Sequence, residues 1–203
     1  MSAEIFKKHG ALEVADMIPI EFCHFFTHVL MHAGDILRYK NMRTGDEQIP
    51  NAASKLEHEP MFETLQERLW PVIENLTGLQ LYPTYTYARL YTNGDVLEKH
   101  SDRPSCEISV TLQLGRSHHY AWPIYMGGKR FDLAEGSAVI YRGYDIEHWR
   151  DKCDGPPDYY SGQVFLHYVD RNGPFTEYAG DGKHRPGYIR TYHPYRTYAM
   201  ESK

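Results

Sequence analysis

The chain has 203 residues, 22 of them Lys or Arg and 27 Asp or Glu, and a formal net charge of -5. That balance gives no electrostatic basis for general binding to nucleic acid or to a membrane surface, and the length suits one domain with a full core. Cys23, Cys106 and Cys153 are odd in number and widely spaced, which excludes a disulfide framework and a CxxC metal site and points to a reducing, cytoplasmic setting; no run of about 18 apolar residues offers a membrane span.

The first third reads as helical. IPIEFCHFFTHVLMHA (19–34) and EPMFETLQERLWPVIENLTG (59–78) place apolar residues at three- and four-residue intervals, and the second ends at a glycine. Pro71 is expected to kink or divide that second helix. The intervening YKNMRTGDEQIPNAASK is polar, carries Gly and Pro, and reads as a loop.

From residue 81 the period becomes two. YPTYTYARLYT is rich in Tyr and Thr, and EISVTLQLG alternates Ile108, Val110, Leu112 and Leu114 with Glu107, Ser109, Thr111 and Gln113. YAWPIYMGGKRFDL predicts a hairpin turning at Gly127 and Gly128, and GSAVIYRG and GQVFLHYV supply two more strands. Short strands with turn signals and no helices between them argue for a β-sandwich or barrel rather than a parallel α/β sheet.

The chemistry resides in YTNGDVLEKHSDRP, which contains His100-Ser101-Asp102, and in GSAVIYRGYDIEHWR, where a strand runs through a glycine-containing turn into His148. Residues i and i+2 of an extended segment face the same side, so an imidazole and a carboxylate converge. An HxD triplet alone is weak evidence in a chain with 12 His; a second histidine delivered from a distant strand makes two imidazoles and one carboxylate on one face of a metal, the set used by non-haem Fe(II) oxygenases. His118, His119 and His167 compete as ligands: His118 and His119 read as loop residues, and His167, inside VFLHYV, reads as lining the cavity or packing in the core and replaces His148 only if the strands are placed differently.

In the order helices, Tyr-rich strand, GDVLEKHSD, alternating strand, hairpin, EGSAVIYRG, EHW and final strand, the sequence resembles the prolyl 4-hydroxylase-like 2-oxoglutarate/Fe(II) dioxygenases over roughly residues 80–170. The resemblance implies a mainly β fold with N-terminal helices, a double-stranded β-helix or cupin-like jelly roll. The expected layout is one domain over 1–203, with helical support over 1–80, the jelly-roll core over 81–170 and a C-terminal strap over 171–203. It implies Fe(II) held by His100, Asp102 and His148, 2-oxoglutarate and dioxygen at the open metal positions, release of succinate and CO2, and hydroxylation of a carbon centre, with a prolyl or other amino-acid residue as a candidate substrate and ascorbate as a candidate reductant. Tyr91 matches the family's cosubstrate-binding tyrosine, and Gln113 falls where a second contact is placed. The family's basic residue at the start of the last strand is absent from PPDYYSGQ. A desolvated carboxylate still needs a cation or several donors; Arg150 is the first candidate, followed by Arg89 and Gln163. Two other classes compete: a non-catalytic jelly-roll module that binds a metal, and a zinc-dependent hydrolase. The tail 182–198 interleaves Tyr with Lys and Arg; it is read as an extended strap rather than a nucleic-acid site.

Overall fold

The computed structural model describes residues 1–182. Their helices are α1 (Ser2–His9), α2 (Ile20–Tyr39) and α3 (Pro60–Thr77); the strands are β1 (Ala11–Val14), β2 (Ser54–Glu57), β3 (Leu81–Thr92), β4 (Leu97–His100), β5 (Ile108–Arg116), β6 (Ile124–Met126), β7 (Lys129–Phe131), β8 (Ala138–Tyr141), β9 (His148–Arg150) and β10 (Tyr160–Asp170). Six strands form one sheet in the order β1-β8-β5-β10-β3-β2, four form a second in the order β4-β9-β6-β7, and every pairing is antiparallel. This is the double-stranded β-helix with N-terminal helices.

The helices follow their apolar spacing. In α2, Cys23, Phe26 and Leu30 are buried; in α3, Phe62, Leu69 and Ile73 are. Both pack on the face of the large sheet that presents Ala88, Leu90, Val110, Leu112, Leu114, Val164 and Leu166. Burying each Leu, Ile or Phe contributes on the order of 1.5–3 kcal/mol. Helix α2 runs past the expected 34 to Tyr39, where Asp35 and Arg38 pair at 2.7 Å in the last turn. Helix α3 is not divided at Pro71. The proline removes one N–H donor, and burial of Leu69 and Ile73 on either side keeps the helix whole. Gly78 ends it at φ 73°, as the terminal glycine predicts.

Residues 1–80 are more than helical support, because β1 and β2 lie within them and form the two edges of the large sheet. The hairpin β6-β7 turns at Gly127 and Gly128, both at positive φ, which suits a tight two-residue connection. Of the strap, Thr176–Gly182 forms an irregular 3₁₀ segment; the Tyr- and Arg-rich stretch beyond it lies outside the described residues. No described helix is long and apolar enough to cross a membrane. The three cysteines are free and buried.

The inner face of the large sheet is polar, and the strand registers order it in rows. Arg89 pairs with Gln163 and Gln163 with Gln113; Tyr87 pairs with Phe165, Phe165 with Thr111 and Thr111 with Val139; His167 pairs with Ser109 and Ser109 with Tyr141. The small sheet covers these rows. A cavity of about 920 Å³ opens between the sheets, and the loop joining α2 to β2 contributes to its wall.

Candidate metal centre and cosubstrate cavity

His100 ends β4, Asp102 follows two residues later, and His148 begins β9, which pairs with β4 so that His100 and His148 are opposite each other. One ligand atom from each of the three lies within 4.8 Å of the others. Asp102 Oδ1 is 3.7 Å from His100 Nε2 and 3.5 Å from His148 Nε2. Each imidazole places its other nitrogen on a backbone carbonyl two residues earlier: His100 Nδ1 on Glu98 at 2.8 Å and His148 Nδ1 on Ile146 at 2.9 Å. Carbonyls only accept, so both rings carry N–H on Nδ1, and Nε2 is the ring atom left on the side of Asp102 for a metal. Two imidazole nitrogens and one carboxylate oxygen this close together form a donor set suited to Fe(II).

Two of the groups are shifted toward the form that binds a metal, His100 toward neutral imidazole and Asp102 toward carboxylate. Burial, followed by the neighbouring His148, lowers the pKa of His100. Burial opposes ionisation of Asp102, but His148, then His167 and the Ser109 hydroxyl, outweigh it and hold that carboxyl below its usual range. Asp102 is also fixed through its backbone, whose N–H donates to the Gly143 carbonyl at 2.9 Å. A Cβ at position 143 would run into Asp102 Oδ2 and the Ser109 hydroxyl. The glycine of the RGYDIEH turn therefore permits close approach of backbone to carboxylate.

Tyr91 and Arg89 line the cavity with the three clustered residues, whereas Arg150, Gln113 and Gln163 are not part of its lining. Those three form a buried chain: Arg150 Nη2 donates to Gln163 Oε1 at 3.0 Å, and Gln163 Nε2 donates to Gln113 Oε1 at 2.6 Å. The two arginines differ in their partners. Arg89 pairs with Asp46 Oδ2 at 2.5 Å and donates to Tyr91 Oη at 2.9 Å. Burial works against its charge, but Tyr91, Asp46 and Tyr87 outweigh this and raise its pKa. Arg150 is 2 % exposed and donates to the Trp122 carbonyl, and its Nε has no partner. No carboxylate pairs with it among the described residues, and burial lowers its pKa.

Sequence reasoning missed Asp46 and Gln48. Both lie in the loop between α2 and β2, where Asp46 also accepts from the Tyr87 hydroxyl, and Gln48 reaches Arg89 at 3.2 Å and His100 Nε2 at 3.0 Å. A polar loop carries no period, so nothing in the sequence signals that it folds back over the cavity. His167 lines the cavity, as its place in VFLHYV suggested, and stacks on Tyr85 at 4.5 Å. His118 is not part of the cavity lining and pairs with Asp158 at the surface.

No protein-family model matches the chain, and no curated protein matches it in sequence. Solved structures do match in shape. A prolyl-4-hydroxylase from Pseudomonas putida superposes with a TM-score of 0.59 at 16% identity, over 82% of this chain and 98% of that one. The chain has the fold of the 2-oxoglutarate/Fe(II) oxygenases. An oxidoreductase of the 2OG-Fe(II) oxygenase family from Burkholderia pseudomallei matches at TM-score 0.59 and 14% identity, over 86% of this chain and 91% of its own. HygX from Streptomyces hygroscopicus, solved with nickel and 2-oxoglutarate bound, matches at TM-score 0.58 and 12% identity, over 81% of this chain and 85% of its own.

Proposed function

We propose that the protein is a 2-oxoglutarate- and Fe(II)-dependent oxygenase that hydroxylates a carbon centre of a polar substrate, releasing succinate and CO2. The observation that carries this reading is the convergence of His100 Nε2, His148 Nε2 and Asp102 Oδ1 in the wall of a cavity inside an oxygenase fold. These three residues would hold the iron, which when bound supplies oxygen activation at the expense of 2-oxoglutarate. The N–H groups on Nδ1, fixed by Glu98 and Ile146, keep both rings oriented for that task. The cosubstrate's distal carboxylate would be taken by Arg150, a buried cation with a free Nε–H and no acidic partner among the described residues, which stands behind the cavity lining and would be reached once the lining beside Tyr91 gives way. Tyr91 lies beside it, its ring 5.0 Å from that of Trp122, which in turn stacks under the Arg150 guanidinium. Leu97, Ile124 and Phe165 line the cavity as well and give it an apolar portion.

The cavity lining is mixed in charge, carrying Arg43, Lys55 and Arg103 as well as Glu47 and Glu57. That lining favours a polar or zwitterionic substrate. Proline or another amino-acid residue in a peptide fits it, and the Pseudomonas putida enzyme of the same fold is a prolyl-4-hydroxylase. Ascorbate is an assay variable in this reading.

Anaerobic addition of Fe(II) and then 2-oxoglutarate tests the reading. An oxygenase develops the weak visible charge-transfer band of the chelated complex and, once oxygen is admitted, forms succinate slowly even without its substrate. Folded protein that binds Fe(II) but shows neither the band nor succinate would be a metal-binding module. Zinc-dependent hydrolysis with no 2-oxoglutarate binding would make it a hydrolase.

A further inference from the structure

Behind Asp102, on the side away from the two histidines, stands a short hydrogen-bonded chain. Ser109 Oγ is 2.8 Å from Asp102 Oδ2 and 3.0 Å from His167 Nδ1. The carboxylate is therefore used asymmetrically, because Oδ1 is the atom nearest both His100 and His148. Resting on the metal-centre reading above, we propose that Ser109 and His167 are positioning residues that make Asp102 a one-oxygen ligand.

Proton counting sets the direction of the chain. A serine hydroxyl has one hydrogen and two lone pairs. Its hydrogen has three candidate acceptors, the Asp102 carboxylate at 2.8 Å, His167 Nδ1 at 3.0 Å in one tautomer and the Cys106 carbonyl at 3.1 Å. The carboxylate is closer and charged, and charge-assisted bonds are about twice as strong as neutral ones. With that hydrogen committed, Ser109 can only accept from His167, so His167 carries N–H on Nδ1. Ser109 and His167 are buried at 0% and 6% exposure, and they pair across β5 and β10. The chain is thus set by the register of two central strands. Gly143 completes the clamp from the other side, its backbone against Asp102 Oδ2 and its carbonyl on the Asp102 N–H.

The chemical consequence concerns open positions. A carboxylate free to turn can chelate a metal through both oxygens and use up a position that a bidentate cosubstrate or oxygen requires. A hydroxyl held on Oδ2 removes that option and leaves Oδ1 alone to bind. Hydrogen-bond partners of this kind typically change metal affinity by about 10- to 100-fold.

The test uses Co(II) alone as probe on the full chain, with visible absorption reporting both affinity and coordination. Ser109→Ala and His167→Gln are expected to weaken Co(II) binding by at least about tenfold and to change the absorption envelope. His167→Asn is expected to stay within about threefold of the native protein, because an asparagine amide places its N–H where histidine has Nδ1 and glutamine does not. Both His167 variants remove the ring, so a shared loss of packing cannot produce a difference between them. Native affinity and spectrum in Ser109→Ala and His167→Gln, or His167→Asn as weak as His167→Gln, would overturn the proposal while leaving the metal centre intact. Native protein that binds no Co(II), or His100→Ala binding as well as native, would overturn the metal centre and the proposal with it.

Discussion

The two faces of the large sheet are buried almost equally but are made of opposite chemistry. On β5 the outward residues Ile108, Val110, Leu112 and Leu114 are fully covered by helices, and the inward residues Ser109, Thr111 and Gln113 are 0%, 0% and 3% exposed. The apolar face gains from leaving water and needs no particular partner. The polar face gains nothing unless each donor and acceptor is matched, so its residues are ordered into pairs such as Gln163 on Gln113 and Ser109 on Asp102. Stability is concentrated on the first face and directional specificity on the second.

The sharpest division would come from the three clustered residues. Alanine at His100, Asp102 or His148 is expected to abolish succinate formation and strongly weaken Fe(II) binding, while thermal unfolding of the metal-free protein changes little for the half-exposed His100. Full Fe(II) affinity in His148→Ala with its loss in His167→Ala would reassign the second histidine.

Next in size is the contrast between the two buried arginines. Losing a charged hydrogen bond in a desolvated site costs roughly 2 to 5 kcal/mol, so Arg150→Ala should raise the apparent constant for 2-oxoglutarate by at least about tenfold with Fe(II) affinity nearly unchanged. Arg89→Ala, whose guanidinium is already matched by Asp46, and Gln163→Ala should have smaller effects. An unchanged constant in Arg150→Ala with a raised one in Arg89→Ala would move the anchor to β3.

The helix-facing side is tested by Leu112→Ala, which should lower unfolding free energy by about 2–5 kcal/mol in a denaturant titration. The Co(II) spectrum of the remaining folded protein should be unchanged. A loss of metal affinity larger than the loss of stability would show that the two faces are not separable.

The smallest effect expected is a pH dependence. His167 is buried, and that burial pushes its pKa from 6.5 down to about 4. The unfolded chain therefore binds the extra proton over that interval and the native one does not, so stability is fully present above about pH 6.5 and falls as pH drops toward 4. The difference corresponds to roughly 3 kcal/mol at most. Urea titrations of metal-free protein at pH 7 and pH 4.5 measure it, and His167→Asn should flatten the acid slope.

The sequence by itself determined the layer plan and the pairing of His100 with Asp102, because both rest on short-range periodicity, whereas His148 was legible only from the EHW motif after a distant strand. Alternation on β5 fixes which side chains share a face, three- and four-residue spacing fixes the buried stripes of α2 and α3, and the i, i+2 spacing of His100 and Asp102 directs them together. The tertiary structure alone decided what depends on contacts between distant segments. It placed β1 and β2 at the sheet edges, although each is only four residues long, too short for a period to register. It brought Asp46 and Gln48 across 43 and 52 residues to Arg89 and His100. It also distinguished Arg89 from Arg150, since the meaning of a buried charge lies in whether a partner reaches it, and no local pattern encodes that.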